Sequence, residues 1–217
     1  MIDYSKKTLL DGNPNSCSVW HKAVLKLFSF KNNSIVDIGC GSGSFLLAIK
    51  KEAGNIVGID PNNKNCEEVK THGIIAINDY PENITEYDTT FDIATCFEVV
   101  EHLYTHTDIV HSMAKMLRSG GQGIISTPNA FNIVRTIVFL FKQEHHDLLL
   151  DPTRTLTPEH IRLWSYGMMK RICDTEPTLK VDKIYGIGII FGKLYIFTNK
   201  FFTRLFSQHL IVILRKN

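Results

Sequence analysis

The chain has 217 residues, a hydrophobic content of 44% and a formal net charge of +2 at pH 7. This length predicts a single domain with room for an elaboration, and the composition is sufficient for a full hydrophobic core. The nearly neutral charge excludes a global basic field of the kind that attracts nucleic acid. Uncharged apolar runs are all shorter than the roughly 18 residues of a membrane-spanning helix, and residues 1–12 contain no apolar signal core.

The five cysteines lie far apart and form no C-x-x-C pair. Such spacing predicts reduced, mostly buried thiols in a reducing compartment, so we expect a cytoplasmic protein. The residues concerned are Cys17, Cys40, Cys66, Cys96 and Cys173.

The first elements are a helix within residues 1–33 and a strand. Apolar residues from Trp20 to Phe28 recur at helical spacing and predict an amphipathic helix, which either covers a ligand or only caps the sheet. The apolar strand Ile35 to Ile38 follows, and a second helical pattern begins at Phe45.

Three glycines stand between that strand and the second helix, at Gly39, Gly41 and Gly43. Glycine permits positive φ and lets a backbone approach a ligand closely. Ser44 stands where a dinucleotide fingerprint requires its third glycine, which disfavours a nicotinamide dehydrogenase. Asp37 precedes the turn, and a carboxylate there would repel a pyrophosphate but attract a cation. The pattern therefore indicates a site for a nucleoside with a positively charged tail.

Further strands alternate with helices, which predicts a parallel sheet with helices on both faces. The second strand ends in Asp60, which can accept hydrogen bonds from ribose hydroxyls or, before Pro61, cap the next helix. Gly120 and Gly121 are expected to be turn residues ahead of a buried strand. The predicted strands after the first are Asn55–Ile59, Ile74–Ile77, Phe91–Cys96, Gly123–Thr127 and His209–Leu214.

This order of motifs, from Asp37 to Asn129, resembles the class I S-adenosylmethionine (SAM) methyltransferases, and within them the broad group similar to ubiquinone-biosynthesis O-methyltransferases (methyltransferase type 11/23). The resemblance implies an α/β, three-layer, Rossmann-like fold, with a seven-stranded, mostly parallel sheet whose last strand is antiparallel. It implies SAM as the cofactor and places the adenine near the end of the third strand. The implied cofactor-binding residues are Asp37, Gly39, Cys40, Gly41, Gly43, Asp60, Asn78, Asp79 and Phe97.

Glu98, Glu101 and His102 follow the fourth strand, and their offsets of three and four predict one face of a helical turn. Ubiquinone-biosynthesis O-methyltransferases and RNA 3′-end 2′-O-methyltransferases carry a similar set with a later histidine. This resemblance implies that these three residues and His160 hold a divalent ion, Mg²⁺ or Zn²⁺, that lowers the pKa of an acceptor hydroxyl. Two alternatives stay open: His102 acts alone as the catalytic base, or the group is structural.

Residues 130–165 are expected to form an insertion or lid beside the active-site edge, including the apolar stretch Phe131–Phe141. A helix is predicted from Thr157, as N-cap, to Cys173. The adjacent His145 and His146 either contact the acceptor or lie in a solvated loop.

The segment from Val181 onward is basic and rich in aromatic residues, which is compatible with peripheral contact with an anionic membrane or with ordinary packing. We therefore expect O-methylation of a small-molecule, lipid or glycan hydroxyl. The alternatives are a metal-dependent RNA 2′-O-methyltransferase, disfavoured because nothing indicates an RNA-binding module, and a catalytically silent SAM-binding protein.

Overall fold

Eight strands form one mixed sheet in the computed structural model, which describes residues 17–142 and 160–217. The strands are β1 (Ile35–Ile38), β2 (Ile56–Ile59), β3 (Ile75–Ile77), β4 (Phe91–Phe97), β5 (Leu117–Pro128), β6 (Leu179–Ile190), β7 (Lys193–Phe197) and β8 (His209–Lys216). Their order across the sheet is β3-β2-β1-β4-β5-β8-β6-β7. The first five are parallel, and β8 pairs antiparallel with both β5 and β6. Because parallel strands share one carboxyl edge, the loops after β1, β2, β3 and β4 lie together.

Helices cover both faces of the sheet. They are α1 (Val19–Leu27), α2 (Ser44–Ile49), α3 (Asn63–Thr71), α4 (Thr107–Met116), α5 (Ile133–Lys142), α6 (Tyr166–Cys173) and α7 (Lys200–Phe206). Ile35 packs into the cluster formed with α1, α2 and α3, whereas Val36 and Ile38 pack into the cluster that includes α4 and α6. This alternation follows from the two-residue period of a strand. The predicted three-layer α/β architecture is confirmed, as is the amphipathic helix ahead of β1.

The expected strand count of seven is wrong, because β7 adds an eighth strand beyond β6. The two strands form a hairpin closed by Phe191 and Gly192, with φ values of 49° and 73°. Positive φ at both loop residues is typical of the type I′ turn that joins tightly paired strands. The last strand is antiparallel, as predicted.

The fifth strand begins earlier than predicted. Leu117 already pairs with Phe91, and the next partners are Gln122 and Ile93, so the extra residues form a bulge on β5. Gly120 supports it with a φ of 74°. The expected turn at Gly120 and Gly121 is therefore part of the strand, because a bulge accommodates unpaired residues without ending the ladder.

The helix predicted from Thr157 to Cys173 begins only at Tyr166. The Ser165 hydroxyl caps it by accepting from the Met168 amide at 3.3 Å. Before it, the Trp164 carbonyl accepts from the Ala130 amide at 3.0 Å, so this segment bonds across the fold instead of within a helix. His145, His146 and Thr157 lie outside the described residues. In the described ranges, no helix is long and apolar enough to cross a bilayer.

Candidate functional site

The glycine turn after β1 adopts a backbone that other residues rarely adopt. Gly39, Gly41 and Gly43 have φ values of 73°, 53° and 82°. A Cβ at Gly39 would overlap Val99 Cγ2, and one at Gly43 would lie 2.8 Å from Val69 Cγ2. A Cβ at Gly41 would meet no atom within 4 Å. Packing therefore requires two of these glycines, while Gly41 leaves open space at the backbone.

Asp60, after β2, joins the second loop to the glycine turn. Its Oδ2 accepts from the Gly41 amide at 2.9 Å, and its Oδ1 accepts from the Asn62 amide at 2.8 Å and from Asn65 Nδ2 at 3.1 Å. Burial raises the pKa of this carboxyl, and the hydrogen bonds oppose that rise. The helix-capping alternative for Asp60 is wrong, because Asn62 caps α3 by accepting from the Lys64 amide.

Asp37 is a buried carboxylate on β1, directly before the glycine turn. Its Oδ1 accepts from Thr95 Oγ1 at 2.6 Å. Burial is the main cause that raises the pKa of Asp37 to about 7; the nearby Asp60 adds to the rise, and the Thr95 hydrogen bond opposes it. A cation that approached Asp37 would stabilise its ionised form.

The remaining predicted cofactor residues lie in three different environments. Asn78 Nδ2 donates to the Asp60 carbonyl at 3.1 Å, so the end of β3 joins the same site. Asp79 instead accepts from the Tyr80 amide at 2.7 Å within its own loop. The Cys40 and Phe97 side chains are largely buried in the hydrophobic core.

A buried histidine on α1, His21, lies next to this region, and its position was not predicted from the sequence. The His21 ring lies 5.4 Å from the Phe45 ring and 5.1 Å from the Phe97 ring, and Nδ1 is 3.0 Å from Ser18 Oγ. Burial lowers the pKa of His21 to about 4, although Glu98 opposes this change. His21 is therefore neutral at pH 7. In the sequence, it is only one polar residue in an amphipathic helix.

Glu98 departs from the predicted helical face. It has a φ of 54° and precedes a short 3₁₀ turn, Val100–His102, so its side chain does not follow helical spacing. Its carboxylate accepts from Ser126 Oγ at 2.7 Å and lies 3.0 Å from His209 Nδ1. Burial alone would raise the pKa of Glu98, but His209 and the Ser126 hydroxyl outweigh burial and lower it. His209 was also missed, because the fold brings it to Glu98 from 111 residues away in the sequence.

Glu101, His102 and His160 come together as a group that could hold a metal ion. One ligand atom from each lies within 4.8 Å of the others. Glu101 Oε2 accepts from Thr127 Oγ1 at 3.1 Å, and the His102 and His160 rings are 4.9 Å apart. The Glu101 carbonyl accepts from the Ile161 amide at 3.1 Å, which holds the His160 segment in place. Of the four predicted ligands, Glu98 is outside this group.

The candidate metal ligands and the glycine turn lie side by side at the carboxyl edge of the sheet. Val99, between Glu98 and the 3₁₀ turn, lies against Gly39, so the loop after β4 packs directly on the loop after β1. The arrangement combines an open glycine backbone and two buried acids with a further carboxylate and two imidazoles. The two acids are groups that attract a cation, and imidazoles and carboxylates are groups that accept protons or ligate metals.

Comparison with known proteins agrees with this geometry. Residues 16–175 match the family model described as a methyltransferase domain. A ubiquinone biosynthesis O-methyltransferase of Hydrogenovibrio crunogenus is 30% identical over 111 residues, which are 46% of this chain and 45% of that protein. One of Bartonella quintana is 33% identical over 120 residues, 52% of this chain and 48% of that protein. The matched part thus spans about half the length of these curated relatives.

Solved structures share the fold over nearly the whole chain. A SAM-dependent methyltransferase of Thermotoga maritima has a TM-score of 0.67 at 15% identity and covers 91% of this chain and 87% of its own. One of Mesorhizobium loti has a TM-score of 0.62 at 14% identity and covers 92% of this chain and 98% of its own. At these identities, the similarity establishes the fold.

Proposed function

The chain belongs to the methyltransferase domain family, whose methyl donor is SAM, and we propose that it methylates a hydroxyl oxygen of a small-molecule or lipid acceptor. The observation that carries the choice of oxygen is the group Glu101, His102 and His160 beside the glycine turn. A hydroxyl is a poor nucleophile until its proton is removed, and this group provides the means to remove it. The shared description of the curated relatives, ubiquinone biosynthesis O-methyltransferase, supports the same acceptor atom.

The residues at the ends of β1 and β2 fit the donor. SAM, when bound, supplies a methyl group on a sulfonium, which is a good leaving group. The open backbone at Gly41 and the buried carboxylates of Asp37 and Asp60 suit a nucleoside with a cationic tail. The protein then contributes mainly proximity and orientation, which can lower a barrier by ~7–11 kcal/mol.

Glu101, His102 and His160 are a ligand set that fits a divalent ion. Two imidazoles and one carboxylate are a donor set typical of Zn²⁺ and other transition ions, whereas Mg²⁺ prefers oxygen ligands. An ion bound there would lower the pKa of a neighbouring acceptor hydroxyl. Glu101 and His102 are buried, and the Thr127 hydroxyl orients the Glu101 carboxylate. The ion-free alternative uses the same residues: His102 Nε2, 4.0 Å from Glu101 Oε1, would take the proton itself.

The test is a calorimetric titration of Zn²⁺ and Mg²⁺ into chelator-treated protein with S-adenosylhomocysteine (SAH) bound. We expect one Zn²⁺ per chain in the wild type and loss of binding in His160→Ala. The matched control is His111→Ala, because His111 also pairs with a carboxylate, that of Glu176, but lies outside the site. Ion binding that survives His160→Ala would refute the proposed ligand group.

Activity assays separate the alternatives. Absence of ion binding together with a methylated hydroxyl product would assign the proton transfer to His102 alone. Activity that RNA stimulates and salt suppresses would replace the small acceptor with RNA. SAH binding without turnover on any hydroxylated acceptor would favour a silent SAM-binding protein.

A further inference from the structure

Helix α5 exposes an apolar stripe that nothing in the described ranges buries. Val134, Ile137, Val138 and Phe141 recur at helical spacing, which places them on one side of the helix. Val134 is 66% exposed and Phe141 is 86% exposed. No residue of α5 is buried. Such a stripe normally faces a hydrophobic core, so its exposure indicates a surface that meets another apolar phase.

Two polar side chains near the start of α5 bond to backbone carbonyls that precede the helix. Arg135 Nη1 donates to the Asn129 carbonyl at 3.1 Å, and Thr136 Oγ1 donates to the Asn132 carbonyl at 2.9 Å. The Arg135 bond ties the start of the helix to Asn129, directly after β5. The helix therefore presents an apolar surface outward, with Lys142 at its end.

Helix α7 extends the same surface. It packs beside α5 and against β6 and β7, and its aromatic residues are also exposed: Phe201 is 60% exposed, and Phe202 and Phe206 are exposed as well. The hairpin of β6 and β7, against which α7 packs, exposes a further aromatic residue at its turn: Phe191 is 98% exposed. We refer to α5, α7 and this turn as the apolar–basic face.

The charge of this face has one sign. Residues 131–142 and 183–217 contain no aspartate or glutamate, although the whole chain has 22. The cations at its margin are exposed side chains: Lys142, Lys193, Lys200 and Arg204. Apolar side chains surrounded by lysine and arginine are the composition of a surface that lies in the headgroup region of an anionic bilayer.

We propose that the apolar–basic face docks the protein on a bilayer that contains anionic lipid. A second copy of the chain fits less well, because a two-fold contact would bring together two faces whose charged side chains are all cations. The face adjoins the site through Asn129. Its carbonyl accepts from Arg135 of α5, and its Nδ2 donates to the Arg204 carbonyl of α7 at 3.1 Å. Asn129 directly follows β5, on which the Thr127 hydroxyl donates to Glu101. Docking would thus bring the carboxyl edge of the sheet close to the membrane surface.

Vesicle sedimentation tests this proposal without any activity readout, so its result is independent of the proposed reaction. The full chain is mixed with vesicles of phosphatidylcholine alone and of phosphatidylcholine with phosphatidylglycerol. We expect binding to the mixed vesicles to be tighter by about tenfold or more and to weaken at high salt. Equal or absent binding to the two compositions would overturn the proposal.

Two variant pairs separate the apolar and charged contributions. Val134→Ser with Phe141→Ser should weaken binding to mixed vesicles by about tenfold or more, because exposed apolar area no longer enters the bilayer. Lys200→Gln with Arg204→Gln should weaken it by about tenfold and leave the remaining binding less sensitive to salt.

The matched control is Ile75→Ser, because Ile75 is 52% exposed and lies on β3, toward the opposite edge of the sheet. This variant should bind mixed vesicles like the wild type. Light scattering of each protein without lipid completes the test. A wild-type dimer that Val134→Ser with Phe141→Ser converts to monomers would assign the face to a second copy and overturn the proposal.

Discussion

Replacing Asp37 with asparagine removes a buried charge and leaves the shape of the residue almost unchanged. The asparagine oxygen can still accept from Thr95 Oγ1, as the carboxylate does at 2.6 Å. We expect this substitution to have opposite effects on stability and on ligand binding. The protein without ligand should become more stable at alkaline pH, and its affinity for a cationic nucleoside should fall.

The magnitude follows from the pKa of Asp37, which burial raises from 3.8 to about 7. Between pH 3.8 and about pH 7, Asp37 is protonated in the folded protein and ionised in the unfolded chain. The stability that this proton contributes is complete below pH 3.8 and is lost as the pH rises through about 7. At about 1.4 kcal/mol per pH unit, the two units between about pH 5 and pH 7 correspond to about 3 kcal/mol.

Urea denaturation of the wild type and Asp37→Asn at about pH 5 and about pH 8 measures this difference. The stability of the wild type relative to the variant should fall by about 3 kcal/mol over this interval. Asp88→Asn, in an exposed loop, serves as the control and should follow the wild type. Parallel stability of the wild type and Asp37→Asn at both pH values would refute the desolvation argument.

Ligand binding tests the second expected effect of Asp37→Asn, the lower affinity for a cationic ligand. SAH carries an ammonium group on its amino acid tail, whereas methylthioadenosine lacks that tail. Asp37→Asn should therefore weaken the binding of SAH by about tenfold, the value of a charge-assisted contact, and change the binding of methylthioadenosine little. Equal losses for both ligands would show that Asp37 does not recognise the cation.

Two further substitutions test the loops around the site. Gly39→Ala should lower the free energy of unfolding by about 2–4 kcal/mol, because its Cβ would overlap Val99, whereas Gly41→Ala should cost only the positive-φ strain of about 1 kcal/mol; equal losses in urea denaturation would contradict this. His209→Ala should cost about 3 kcal/mol by leaving the buried Glu98 carboxylate without its imidazole partner. A loss below about 1 kcal/mol would mean that water solvates Glu98 instead.

Sequence patterns predicted the structure correctly where interactions between neighbouring residues determine it. The strand Ile35 to Ile38, the glycine turn and the following helix were predicted because apolar runs and positive-φ glycines act over a few residues. The parallel sheet followed from the alternation of strands and helices. The hairpin of β6 and β7 was missed because its turn, Phe191-Gly192, lacks the Asn-Gly or Asp-Gly pair that usually indicates a type I′ turn.

The site was harder to predict, because its side chains are oriented by distant residues. Helical spacing placed Glu98 with Glu101 and His102, but hydrogen bonds to Ser126 and His209 hold Glu98 in a left-handed backbone conformation. Neither partner is near Glu98 in sequence, and no local pattern indicates them. The grouping of His102 with His160 was predicted only through the family resemblance; in the structure, backbone bonds to Glu101 hold the two segments together.

A calorimetric titration of SAH into the wild type and Asp60→Asn tests the donor site. We expect one ligand per chain and an affinity at least about tenfold lower in the variant, because charged hydrogen bonds to ribose are lost. Asp79→Asn, whose carboxylate bonds within its own loop, is the control for a nearby acid. Absence of binding in the wild type, or equal affinity in the wild type and Asp60→Asn, would contradict the assignment of the donor site.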